Sequence, residues 1–165
     1  MKEYGCLDTP IGELCFIVDG REVLALHSRE KVKPVGLRLG ENALALKEEL
    51  REYFEGSRKD FTFRPVLSGP DFKRRVLEEV LKIPYGLTTT YKDIALKLST
   101  SPRAVAMVLK SNSVLILVPC HRVVSSTGWI GGYALGVAAK AFLLNLERAS
   151  QLSSQTVLTA EWSKQ

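Results

Sequence analysis

Cysteine is sparse in this chain of 165 residues: there are three, an odd number with no CxxC pair. That usage suggests neither a disulfide framework nor a zinc ribbon, and it leaves room for one functional thiol. Long apolar runs are also missing. The longest, Val114 to Cys120, has seven residues and contains a proline, whereas a membrane span needs roughly 18 or more. A transmembrane protein is excluded on this ground. The opening Met1-Lys2-Glu3-Tyr4-Gly5 carries acid and glycine where a signal peptide would place an apolar core, so a cytoplasmic location and no membrane partner are expected. There is no internal repeat and no low-complexity block.

What is present is globular in character. With 45% hydrophobic and 25% charged residues, a chain of this length buries a core in one domain or in two modest ones. The net charge of +5 and pI near 9.2 permit a polyanionic partner without requiring one. The distribution of charge is more informative. Residues 1–66 hold 11 basic and 12 acidic side chains, residues 67–150 hold 11 and 5, and residues 151–165 hold one of each. The whole excess lies in 67–150.

Three segments are therefore expected: an α/β domain over 1–66, a mainly helical domain over 67–150, and a polar tail over 151–165 that is disordered or loosely docked. In the first, Gly12 to Val18 reads as a strand closed by the Asp19-Gly20 turn, with Val23 to Leu26 as its hairpin partner. Asn42 to Phe54 spaces Leu44, Leu46, Leu50, Tyr53 and Phe54 for an amphipathic helix stopped by Gly56. Phe61-Thr62-Phe63 alternates as a further strand would. After Pro70 the pattern turns helical, with Phe72, Val76, Leu77, Val80 and Leu81 on one face. Tyr91 to Leu98 is a second helix, and Ser101-Pro102 opens a third over Arg103 to Lys110. Two short helices around Ser99-Thr100-Ser101 have the form of a helix-turn-helix. Val114 to Val124 reads as a strand, and Ser125 to Gly128 as the loop of a hairpin, or wing, returning through Trp129-Ile130. A last helix spans Val137 to Arg148, with Val137, Ala141, Phe142 and Leu144 inward.

Pro119-Cys120-His121-Arg122-Val123 carries the chemistry. A thiol beside a base invites nucleophilic catalysis, although a cysteine in a strand is more often a small buried hydrophobe. His121, Arg122, Lys110 and Arg103 would favour the thiolate if they are near it in space. Adjacent residues on an extended strand face opposite ways, so His121 can assist Cys120 only if the backbone turns there or a water bridges them. Glu147, near the end of the predicted last helix, sits badly against the helix dipole, which suggests a purpose. Taken singly, Tyr91 reads as a packing aromatic and Arg103 as a solvated charge.

Taken together, the sequence resembles the O6-alkylguanine-DNA alkyltransferases, or methylated-DNA–protein-cysteine methyltransferases. The resemblance rests on Val118-Pro119-Cys120-His121-Arg122-Val123-Val124, Ser101-Pro102-Arg103-Ala104-Val105, Gly131-Gly132-Tyr133 and Leu143-Leu144-Asn145-Leu146-Glu147. It is strong over 70–148 and weaker over the first domain, where Leu7-Asp8-Thr9-Pro10-Ile11-Gly12 and Tyr53-Phe54-Glu55-Gly56 carry it.

The resemblance implies a ribonuclease-H-like N-terminal domain and a winged helix-turn-helix C-terminal domain. It further implies a monomer without cofactor or metal that moves an alkyl group from O6 of guanine, and from O4 of thymine, in duplex DNA onto Cys120. Such a protein acts once per molecule, on a base rotated out of the stack. His121 would take the thiol proton through a water, Glu147 would support the imidazole, and Asn112 would bridge backbone groups at a hinge. Arg103 would fill the place of the extruded base, Tyr91 would crowd the target phosphate, and Ala104 would allow close approach to the minor groove. Lys73, Lys92, Ser101, Lys110 and Ser126 would touch the DNA. Tyr133 would bond the flipped guanine, and the carbonyls of Cys120 and Val123 would accept from its amine. Ala134, Leu135 and Lys110 depart from common family residues. Cys6, Cys15 and His27 do not match the zinc ligands of some relatives, so free thiols are expected at Cys6 and Cys15 unless the fold brings the two together.

The other readings are a non-catalytic lesion sensor or regulator and a Cys-His hydrolase. Cys120 argues against the first, and the lack of an oxyanion loop argues against the second.

Overall fold

The computed structural model describes residues 1–34 and 36–163, with side chains through 152. Three strands, β1 (Lys2–Thr9), β2 (Gly12–Asp19) and β3 (Glu22–Ser28), form an antiparallel meander, and a two-residue β4 (Arg64–Pro65) adds to β3 in parallel. Thr9 closes the first hairpin: its hydroxyl donates to the Gly12 carbonyl oxygen and accepts from Ile11 N. Gly12 takes φ +105° there, a conformation that favours glycine. β1 was not expected, because its half-buried residues carry no long apolar pattern. Phe61 to Phe63 forms bends rather than the expected strand, and pairing begins one residue later at Arg64.

Helix α1 (Glu41–Phe54) packs on the meander through Ala43, Leu46, Leu50 and Tyr53. Leu44, expected inward, is exposed, since it lies about 100° around the helix from Ala43. The helix has no capping side chain of its own at Gly40. Glu3 of β1 supplies the acceptor instead, taking bonds from Ala43 N at 3.1 Å and Asn42 Nδ2 at 3.0 Å.

Cys6 and Cys15 are directly opposite in the β1–β2 register and form a disulfide. This corrects the expectation of two free thiols, because strand register is invisible in a count of cysteines. Both sulfurs are thereby withdrawn from metal ligation, and neighbouring Glu13 pairs with Arg29.

The second half contains α2 (Asp71–Leu81), β5 (Thr89–Thr90), α3 (Tyr91–Leu98), α4 (Pro102–Lys110), β6 (Val123–Val124) and α5 (Val137–Ser163). The Ser101-Pro102 signal holds: the Ser101 side chain accepts from Ala104 N, with Pro102 in the first turn, and Thr90 caps α3 in the same way, accepting from Asp93 N. The turn between α3 and α4 lacks glycine, and Ser99 takes the left-handed conformation in its place (φ 55°).

Val114 to Val124 is not one strand. Leu115 N donates to Leu26 O, and Leu26 N donates to Ser113 O, so the segment hangs on the edge of β3. It then turns through a 3-10 helix at Cys120–Arg122, and β6 pairs in parallel with β5. The expected hairpin is present only as a closed loop, in which Ser125 N donates to Trp129 O at 2.9 Å with no strand after it.

Helix α5 runs far past Arg148. The 151–165 tail is thus helical through Ser163, its side chains from 153 and residues 164–165 lying outside the described residues. The buried face of α5 is Ala139, Lys140, Leu143 and Glu147, not the apolar set expected. Among the described residues, no helix is long and apolar enough to cross a membrane. A single hydrophobic cluster joins both halves, from Leu14 and Phe16 to Val105, Cys120 and Leu143.

Candidate active site

Cys120 opens the 3-10 turn and is buried. Proline at 119 and the hanging segment before it force the turn, and this resolves the strand-parity problem: Cys120 and His121 no longer alternate across a sheet. Asn112 clasps the bend. Its Oδ1 accepts from Val114 N at 3.0 Å, while its Nδ2 donates to Val118 O at 3.2 Å and to Cys120 Sγ at 3.3 Å. Burial pushes the Cys120 thiol up to about 11, against the opposing pull of Asn112 and the Lys140 charge.

His121 is fully buried, and its Nε2 lies 2.7 Å from Glu147 Oε2. Arg122 grips the same carboxylate with two bonds, Nε to Oε1 at 2.8 Å and Nη2 to Oε2 at 3.0 Å, and donates through Nη1 to Ile83 O. Tyr53 Oη donates to Oε2 at 2.6 Å, and Gly86 N donates to Oε1 at 3.2 Å. Burial opposes ionisation of Glu147, yet the bonds and charges of His121 and Arg122 overcome it and hold the carboxyl down at about 2. His121 is lowered from the ordinary imidazole value, chiefly by burial. A neutral imidazole beside a carboxylate carries its proton on Nε2. Nδ1 is then a base, and it has no protein partner among the described residues.

Tyr53, Arg122, Gly86 and Lys140 were not foreseen in these roles. Tyr53 and Arg122 lie inside recognised motifs, but only the fold shows what they hold. Lys140 is buried, and its ammonium donates to Val123 O at 2.6 Å, Gly132 O at 3.1 Å and Tyr91 Oη at 3.2 Å. Burial draws its pKa down to about 8. The lone cation among the apolar residues 137–144 was the available signal. Gly131 fits closely here: at φ +85°, a Cβ would lie 2.6 Å from Tyr91 Oη and 3.1 Å from Lys140 Nζ.

A cavity of about 50 Å³ borders Cys120, walled by Tyr91, Ala106, Leu109, Lys110, Gly132, Tyr133 and Ala134. Tyr133 Oη is buried without a protein partner. The cavity shares Tyr91, Ala106, Lys110 and Gly132 with a groove of about 400 Å³, whose walls include Lys92, Pro102, Arg103, Ser126 and Trp129. Most of the expected DNA residues thus gather on one side of the thiol. Three stand apart. Lys73 donates to Ser111 O, Ser101 accepts from the N-H of Ala104 as a helix cap, and Ala106 rather than Ala104 lines the groove. The Val123 carbonyl is already engaged by Lys140, which leaves it one lone pair. Glu147 lies mid-helix, so the dipole misfit expected of it does not exist; its burial beside a cation and an imidazole is the real mark.

A buried cysteine, an Asn clasp, a His-Glu pair and an adjoining groove walled by α3, α4 and the 125–129 loop set a thiol and a base beside a basic face. Residues 71–149 match the family described as 6-O-methylguanine DNA methyltransferase, DNA binding domain. The methylated-DNA–protein-cysteine methyltransferase of Metallosphaera sedula is 39% identical over 148 residues, covering 89% of this chain and 94% of that protein. The Saccharolobus solfataricus protein of the same name is 38% identical over 147 residues, covering 89% and 96%. Among solved structures, Mycobacterium tuberculosis OGT in complex with DNA superposes with a TM-score of 0.80 at 32% identity, covering 90% of this chain and 94% of that one. This chain belongs to the methylated-DNA–protein-cysteine methyltransferases.

Proposed function

We propose that the protein repairs alkylated duplex DNA by moving the alkyl group from O6 of guanine, or O4 of thymine, onto Cys120, once per molecule. The observation that carries this reading is the buried Cys120 beside a neutral His121 whose Nδ1 is free and whose Nε2 is tied to Glu147. With the thiol held near 11, the resting group is S-H, and a base is needed to make the nucleophile. The thiol proton passes through a solvent molecule to His121 Nδ1, and Glu147, ionised, stabilises the imidazolium. Sγ attacks the alkyl carbon, the C–S bond forms as the C–O6 bond breaks, and the electron pair returns to the base, which takes back, through solvent, the proton held on His121. A thioether has no ready leaving group, so no second turnover follows.

The target atom lies inside a duplex, so the base must rotate out. The cavity at Cys120 opens beside Arg103 at the start of α4, where a guanidinium can take the vacated place. Tyr91, Lys92, Lys110 and Ser126 line the same face, and Tyr133 offers an unpartnered hydroxyl to the base. In this reading α3, α4 and the 125–129 loop act as a winged helix-turn-helix on a monomer, with the meander and α1 as a ribonuclease-H-like partner domain. Mass spectrometry after incubation with O6-methylguanine duplex tests it. A single methyl group on the Cys120 peptide, absent in Cys120→Ala, is expected; intact DNA binding with an unmodified thiol favours the lesion sensor instead.

A further inference from the structure

Trp129 is the one exposed aromatic ring among the described residues, 61% accessible. An indole left in water needs a reason. The backbone that carries it is fixed. The loop before it is pinned by Ser125 N to Trp129 O at 2.9 Å, Thr127 N to Ser125 Oγ at 3.2 Å and Ser125 Oγ to Thr127 Oγ1 at 2.8 Å, with Gly128 at φ +93°. Trp129 forms part of the wall of the groove that leads to Cys120, together with Pro102 and Arg103. Lys92 and Lys110 complete the rim, and no carboxylate lines the groove. An apolar plate within a purely cationic rim matches a nucleotide: a flat or ring-shaped apolar unit carried on phosphates.

We propose that Trp129 is an aromatic contact surface for the nucleotide flanking the damaged one, its indole lying against that nucleotide's base or deoxyribose while Lys92 and Lys110 hold the adjacent phosphates. This rests on the alkyl-transfer reading of the site and assigns a determinant of DNA affinity outside the Cys120 cavity. The contact is made by a π face, so it is indifferent to sequence, as repair at any position demands.

The test uses the full chain carrying Cys120→Ala, to prevent transfer, and Trp162→Phe, to leave Trp129 as the single indole fluorophore. Titration with O6-methylguanine duplex is expected to quench the emission to saturation. In a parallel pair with Cys120 intact, Trp129→Ala weakens DNA affinity by about tenfold, Trp129→Phe restores part of it, and the rate with free O6-benzylguanine base is unchanged. Unquenched emission on bound DNA, or equal affinity in Trp129→Ala, overturns the proposal. If the wild-type thiol is never alkylated, the functional reading fails, while the quenching and affinity still decide the role of Trp129.

Discussion

The Tyr53 hydroxyl donates to Glu147 Oε2 at 2.6 Å, so a side chain from the last turn of α1 completes the coordination of a carboxylate on α5, 94 residues away. The N-terminal meander and its helix are therefore part of the site that positions His121. Tyr53→Phe removes one bond to a buried charge without opening a cavity. A loss of about 1.5–3 kcal/mol in urea unfolding is expected, with slower single-turnover alkyl transfer. An unchanged transfer rate in the variant would show that the meander and α1 do not contribute to the reaction.

Glu147 should govern acid stability. Its pKa falls from 4.5 to about 2 on folding, so its contribution is complete above pH 4.5 and is lost as pH falls through about 2. The full span is worth about 3 kcal/mol. Glu147→Gln should flatten the stability curve between pH 4.5 and 2, and it should also cost roughly 3–5 kcal/mol at neutral pH by leaving Arg122 buried and uncompensated. Chemical denaturation at a series of pH values checks both.

Arg103 is exposed at the first turn of α4. Arg103→Ala should slow repair in duplex DNA by about tenfold or more, because extruding a base costs a few kcal/mol that the guanidinium offsets. Reaction with free O6-benzylguanine should be unaffected. Equal losses on both substrates would remove Arg103 from the base-extrusion step.

The Cys6–Cys15 bridge closes a short loop within one hairpin. Chain-entropy arguments give such a crosslink about 2–3 kcal/mol. Adding a dithiol reductant should lower the melting temperature of the wild type and leave that of Cys6→Ser/Cys15→Ser unchanged. Identical melting curves with and without reductant would count against the bridge.

Alkylation itself should destabilise. Cys120 is buried in a cavity of about 50 Å³ with Asn112 Nδ2 at 3.3 Å from its sulfur. A methyl group on that sulfur crowds Asn112 Nδ2 and disturbs the clasp, leaving a buried donor short of one partner at a cost of about 1–3 kcal/mol. Differential scanning of methylated against free protein should show the lower transition in the methylated form.

The helices α1 to α4, the start of α4 and the end of α1 were legible because each depends on short-range spacing: the apolar period, Ser101-Pro102, and Gly56 as a stop. The motif around Cys120 was legible for the same reason, since residue order alone marks it. Register, turn and partnership were not. Cys6 and Cys15 meet because two strands align, Cys120 and His121 share a site because a 3-10 turn replaces a strand, and the inner face of α5 carries Lys140 and Glu147 beside Leu143. Charged groups can occupy that face only where Arg122, His121, Tyr53 and backbone carbonyls from other elements neutralise them. Local sequence determined the helices and marked the cysteine motif; the strands' register and the desolvated carboxylate network around Glu147, built from residues far apart in the chain, were decided by tertiary packing.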